Sequence, residues 1–175
     1  MITSGAPRMT EGITEGRKPT PGDLRSPVML LALGFGTGLA RRAPGTWGTV
    51  AGLGVYALIA PFGIEALVLA ALVASIVGVP ICGIAARRLG VHDHPAIVWD
   101  EIAGILIALL FVPVHWAWIL AAFVAFRGFD ILKPWPISWL DRRVDGGLGI
   151  MIDDILAGVA AGVLLLAVGS LLALL

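Results

Sequence analysis

"GIMIDDILAGVAAGVLLLAVGSLLALL", residues 149–175, is the stretch on which the fold turns. From 155 onward it carries no charged residue, and a helix needs about 20 mostly apolar residues to cross the hydrocarbon core of a bilayer. Its apolar residues lie all round rather than along one stripe, so such a helix expects lipid or protein on every side. Immediately before the run stand two adjacent carboxylates, Asp153 and Asp154. Carboxylates near hydrocarbon are costly unless a metal, a basic side chain or water compensates them, so the pair marks either a membrane boundary or a working site.

The rest of the chain has the same character. Of its 175 residues 58% are hydrophobic and only 14% charged, with a mean hydropathy of +0.96. Three further runs lack formal charge, at 43–64, 66–86 and 102–126. All are too long for strands, and the expected fold is all-α: a multi-pass integral membrane helical bundle. Lys+Arg and Asp+Glu both number 12, so no net field gathers nucleic acid, and no basic run or stacking motif suggests it. The single cysteine, Cys82, fits a reducing cytosolic exposure and cannot form an internal disulfide. Cys82 and Arg88 have the spacing of a cysteine phosphatase loop, but they lie at the end of an apolar run, where the thiol reads as a packed apolar group. Residues 1–27 are polar, rich in Gly, Pro and Thr, and lack a signal peptide's apolar centre. They read as a disordered cytosolic tail, with 28–175 as one membrane-embedded domain.

Charge collects between the runs, in "LARRAPGTWGT" (39–49), "RRLGVHDHPAIVWDE" (87–101) and "RGFDILKPWPISWLDRRVDGGLGIMIDD" (127–154). Each contains arginine, and cytoplasmic flanks favour Arg and Lys, so all three belong on the inside. A hairpin of the first two runs satisfies that for Arg41, Arg42, Arg87 and Arg88. A single crossing by the third run would put Arg127 and Lys133 outside. Its middle reads "FVPVHWAW" (111–118), where Pro113 removes a backbone donor and His115 prefers an interface. The third apolar segment is therefore either re-entrant or a kinked spanning helix; the re-entrant form is favoured because it gathers every charged segment on one face.

Asp100 and Glu101 open the third run much as Asp153 and Asp154 open the fourth. A helix dipole stabilises carboxylates in the first turn, so either pair can be a cap. Adjacent like charges repel, however, and four carboxylates with no lysine beside them look more like oxygen ligands for a hard cation, Mg²⁺ by default. Arg127, Asp130 and Lys133, three apart, share a helix face that could grip phosphate or simply be a solvated helix end. Gly146 and Gly147 could converge backbone N–H groups on an anion or make a tight turn. Arg41 and Thr46, in a glycine-rich stretch, could bind phosphate or a lipid head group, or anchor the chain beside the membrane. His92, Asp93 and His94 share one loop, where a histidine could act as an acid near neutral pH or remain merely solvated.

Together "GFGTGLARRAPGTWGT" (34–49), "GVHDHPAIVWDEIAG" (90–104) and "FRGFDILKPWPISWLDRRVDGGLGIMIDDILAGV" (126–159) resemble the phosphatidylglycerophosphatase A family of bacterial inner-membrane enzymes, in the family's order. The resemblance runs from about Leu31 to near the C-terminus. It implies Mg²⁺-dependent removal of the terminal phosphate of phosphatidylglycerophosphate, a lipid substrate, at the cytoplasmic side of the inner membrane. Under it, Asp100, Glu101, Asp153 and Asp154 hold metal with Asp130 as a further contributor. Arg127 and Lys133 bind phosphate, aided by Arg41, Thr46 and the amides of Gly146 and Gly147, and His94 protonates the leaving alkoxide. Two other functions are weighed against it. A cation-coupled transport subunit would place its carboxylates near mid-membrane. A lipid phosphotransferase would continue Asp145–Gly146 with an Ala-Arg signature where this chain has "GLGI".

Overall fold

The computed structural model describes residues 16–174, and residues 1–15 of the expected tail lie outside them. Among the described residues there are seven α-helices and no strand: α1 Pro27–Ala32, α2 Pro44–Ile59, α3 Ile64–Leu89, α4 Trp99–Leu109, α5 Trp116–Leu132, α6 Ile137–Asp141 and α7 Gly146–Leu172. Three segments are long and apolar enough to cross a membrane: Pro44–Phe62, Ile64–Leu89 and Gly146–Leu172. Their outer faces expose large apolar side chains such as Leu58, Leu69, Ile76 and Leu171. A soluble protein avoids contiguous apolar surface of that extent, whereas lipid requires it.

Local chemistry sets the boundaries. Pro44 occupies the first turn of α2, where its missing N–H costs nothing. Gly63, at φ 93°, turns the chain into α3. Glu65 in the first turn of α3 and Arg87 and Arg88 in its last turn all complement the helix dipole, and Gly90 closes the helix in the left-handed region. The third apolar run breaks as "FVPVHWAW" suggests. α4 ends before Pro113, and His115 caps α5 by accepting a hydrogen bond at Nδ1 from the Ala117 N–H, 3.3 Å away.

Small residues fix how the helices cross. A Cβ on Gly104 of α4 would strike the Phe126 ring of α5 and the Asp154 carbonyl of α7, and one on Gly158 would strike the Gly104 carbonyl. Gly162 lies against Phe111, and Gly169 against Trp118. Bilayer helices associate through this kind of close backbone approach, because lipid supplies no hydrophobic drive between them. These contacts give direction as well: α4 runs alongside α7, and α5 returns antiparallel to it. The start of α2, the end of α3, the start of α4, the end of α5 and the start of α7 therefore meet at one end of the bundle. The third apolar segment folds as a hairpin of α4 and α5 whose two outer ends lie at the same end of the bundle, and the charged segments gather on one face as expected.

Two boundaries differ from expectation. Residues 16–26 pack rather than trail: the Arg17 N–H donates to the Leu89 carbonyl at 2.7 Å, Arg17 and Asp23 form a double ion pair at 2.8 and 2.9 Å, and Arg88 donates to Ser26 Oγ at 2.7 Å. The Arg17 guanidinium holds the Asp23 carboxyl well below the usual carboxylate range. The polar composition that suggested disorder is consumed by these local pairings. α7 also begins nine residues before the charge-free run, so Asp153 and Asp154 lie two turns inside a helix and not at its mouth.

Candidate active site

Asp100 and Glu101 occupy the first turn of α4, and Asp154 the third turn of α7. Gly104 and Gly158 let those helices touch, which brings one oxygen from each of the three carboxylates within 4.8 Å of the others. Asp100 is 8% and Asp154 3% exposed. Asp100 Oδ1, Glu101 Oε2 and Asp154 Oδ2 are buried with no hydrogen-bond partner. Three carboxylates in so small a volume repel one another, and a buried carboxylate oxygen without a donor is expensive. Three hard oxygen donors with unsatisfied lone pairs fit a hard divalent cation, and among the described residues this set could hold it.

The other two expected metal ligands each meet a basic side chain, and Asp130 also stays in the cluster, its carboxyl within hydrogen-bonding reach of Asp154. Asp130 Oδ2 lies 2.5 Å from Arg127 Nη1, one helical turn away on α5. Asp153 Oδ2 accepts from Lys133 Nζ at 2.5 Å. Successive residues on an α-helix point about 100° apart, so Asp153 and Asp154 diverge. The expectation that the carboxylates lack a nearby lysine fails for this reason: α5 returns beside α7 and delivers Lys133 to Asp153. Arg127 Nη1 is also 3.7 Å from Glu101 Oε1, and its buried Nε has no hydrogen-bond partner. Lys133 itself sits at φ 41°, left-handed backbone that a residue with a Cβ adopts at a cost of roughly 1–2 kcal/mol. Strain of that kind at a charged residue is a pointer to function.

The glycines have packing roles. A Cβ on Gly147 would meet the Val79 carbonyl of α3, and one on Gly149 the Val144 carbonyl. The Gly146 N–H donates to His92 Nε2 at 2.5 Å, so its partner is a side chain of the α3–α4 loop. Thr46 is half-buried in the first turn of α2. His94 and Arg41 line a separate cavity together with Lys18. Burial lowers the His94 pKa, against the opposing pull of Asp93, and its Nδ1 accepts from the Ala96 N–H at 3.1 Å. The ring hydrogen therefore sits on Nε2, and burial disfavours the imidazolium that protonating an alkoxide would need. Cys82 is fully buried, its Sγ 3.7 Å from Met151 Sδ, as expected of a packed thiol.

Sequence reasoning missed Gly45. A Cβ there would fall on Glu101 Oε1 and within 3.2 Å of the Arg127 guanidinium, so only a glycine lets α2 pack this close to that pair. The signal available was its spacing with Gly48 and Gly52, which put small residues along one face of α2.

Comparison with known proteins points one way. The family described as phosphatidylglycerophosphatase A matches residues 30–169. A Haemophilus influenzae phosphatidylglycerophosphatase A is 46% identical over 148 residues, 83% of this chain and 90% of that protein. The Escherichia coli phosphatidylglycerophosphatase A is 46% identical over 143 residues, 81% of this chain and 83% of that protein. A Bacteroides thetaiotaomicron protein with the provisional name phosphatidylinositol-3-phosphatase is 38% identical over 148 residues, 78% of this chain and 90% of its own length. No solved structure matches the chain significantly.

Proposed function

The chain belongs to the phosphatidylglycerophosphatase A family, and from that premise we propose that this phosphatase removes the terminal phosphate of phosphatidylglycerophosphate, giving phosphatidylglycerol and inorganic phosphate, with Mg²⁺ held by Asp100, Glu101 and Asp154. The observation that carries the reading is the convergence of three carboxylates, two buried and one half-buried, from two helices at the charged end of an apolar bundle. Residues 155–174, at about 1.5 Å per residue, fill the roughly 30 Å hydrocarbon core, which leaves Asp154 at its boundary. Lipid tails and a water-borne phosphate meet at that depth. The arginines and Lys133 at this end favour the cytoplasmic side of a bacterial inner membrane.

When bound, the divalent cation supplies Lewis-acid stabilisation of charge on the phosphoryl oxygens. The chain's own groups do the rest. Arg127 presents an unsatisfied Nε beside the cluster, and Asp130 and Glu101 hold its guanidinium from either side. A planar guanidinium so held suits a phosphate oxygen and need not reorganise during the reaction. Lys133 adds a compact positive charge from the end of α5, oriented through Asp153. Gly45 lets the start of α2 close against the Glu101–Arg127 pair. The burial of Asp100 and Asp154 excludes bulk water and strengthens each of these interactions.

The test is phosphate release from phosphatidylglycerophosphate by detergent-purified protein, stripped with chelator and then supplied with Mg²⁺. Release that stops on stripping and returns with the ion is expected. Release indifferent to the ion would contradict the metal assignment, and absence of release would contradict the substrate.

A further inference from the structure

At the same end of the bundle, the N-terminal segment lies across the turn Gly34–Leu39 and the α3–α4 loop and walls one side of a half-open cavity of about 700 Å³. Its volume is that of an ordinary small-molecule site. Lys18, Arg41 and His94 supply its polar lining, and no carboxylate is among the lining residues. The walls are built: a Cβ on Gly38 would strike the Ala96 carbonyl, and Arg17 ties the N-terminal segment to the end of α3. Pro44 lines the cavity, while the next residue, Gly45, borders Glu101 and Arg127. The first turn of α2 therefore touches the cavity on one residue and the carboxylate cluster's flank on the next.

The substrate carries two phosphates joined through a short three-carbon bridge, and only the terminal one is removed. We propose that the cavity seats the inner phosphodiester of the head group, gripped by Lys18 and Arg41, while the terminal phosphate reaches across the first turn of α2 to the carboxylates. The assignment rests on the phosphatase reading above. It makes Lys18 a residue that selects a glycerol-bridged diphosphate over a lipid bearing a lone phosphomonoester.

Two measurements on the full-length protein in detergent test it. The first is steady-state kinetics of Lys18→Ala with phosphatidylglycerophosphate. KM should rise about tenfold with kcat within about twofold, as expected for loss of one charge-assisted contact made equally in ground and transition states. Arg25→Ala removes an equal charge from the same segment outside the cavity and should leave KM alone. The second is equilibrium binding of short-chain phosphatidylglycerol, which keeps the phosphodiester and lacks the terminal phosphate. Wild type should bind it, the Lys18→Ala/Arg41→Ala double variant should bind about tenfold or more weakly, and inorganic phosphate should compete poorly. Binding by the double variant equal to wild type, an unchanged KM, or efficient displacement by inorganic phosphate would each overturn the proposal. If wild type binds phosphatidylglycerol through these residues yet hydrolyses nothing, the cavity assignment stands and the phosphatase reading falls. Normal hydrolysis without such binding gives the reverse.

Discussion

At the scale of single residues, Asp154 carries the most weight because it alone brings α7 into the cluster. Asp154→Asn keeps the volume and removes the charge. Turnover should fall to background while helical circular dichroism and detergent elution volume stay those of wild type; near-normal activity would remove Asp154 from the set. Arg127→Ala should raise KM for phosphatidylglycerophosphate about tenfold while Mg²⁺ affinity is retained, since Arg127 sits beside the carboxylates and is not a ligand. A loss of Mg²⁺ affinity with KM intact would mean that Arg127 serves the carboxylates and not the substrate. Gly45→Ala should cut activity about tenfold or more, because the new methyl falls on Glu101 Oε1. The acidic residues were legible in the sequence because charge beside an apolar run has few innocent explanations. Their partners were not. That Lys133 meets Asp153 and Arg127 meets Glu101 depends on which helix faces which, and spacing along one helix cannot say that.

At the scale of elements, the break in the third apolar run was legible from Pro113 and His115, since lost donors and an interfacial side chain both oppose a continuous helix. The start of α7 was not, because Gly146, Gly147 and Gly149 read as turn residues, and only the Val79 carbonyl of α3 shows why Gly147 is small. Helix crossings make their own prediction. Gly158→Leu drives a side chain into the Gly104 carbonyl, and overpacking of that kind costs about 1–3 kcal/mol. The melting temperature in detergent should drop by several degrees, and activity should fall with it because α4 and α7 jointly hold the cluster. A variant as stable and active as wild type would mean the two helices do not need this close approach. The hairpin of α4 and α5 can be checked by thiol labelling after Cys82→Ala. Cysteines introduced singly at Asp93 and Arg142 should react from the same side of a sealed vesicle, and one at Val114, in the α4–α5 turn, should resist the same reagent. Labelling of the first two from opposite sides would rule out the re-entrant pair.

At the scale of the whole molecule, the arrangement converts a compositional fact into a site. Apolar runs alone give a membrane bundle; alternating their direction brings five helix ends and nearly all the charge to one face, and the short α4 lets two of those ends carry the converging carboxylates. The N-terminal segment completes that face where the sequence suggested a loose tail, since its composition lacks the apolar periodicity that marks packed structure. The central claim is that Asp100, Glu101 and Asp154 hold one divalent cation between two helices. Equilibrium binding of Mn²⁺, a paramagnetic stand-in for Mg²⁺, to the detergent-purified protein measures this most directly by electron paramagnetic resonance. One saturable site is expected in the wild type, competed by Mg²⁺ and lost in both Asp100→Asn and Asp154→Asn. Binding in either variant at wild-type affinity would contradict it.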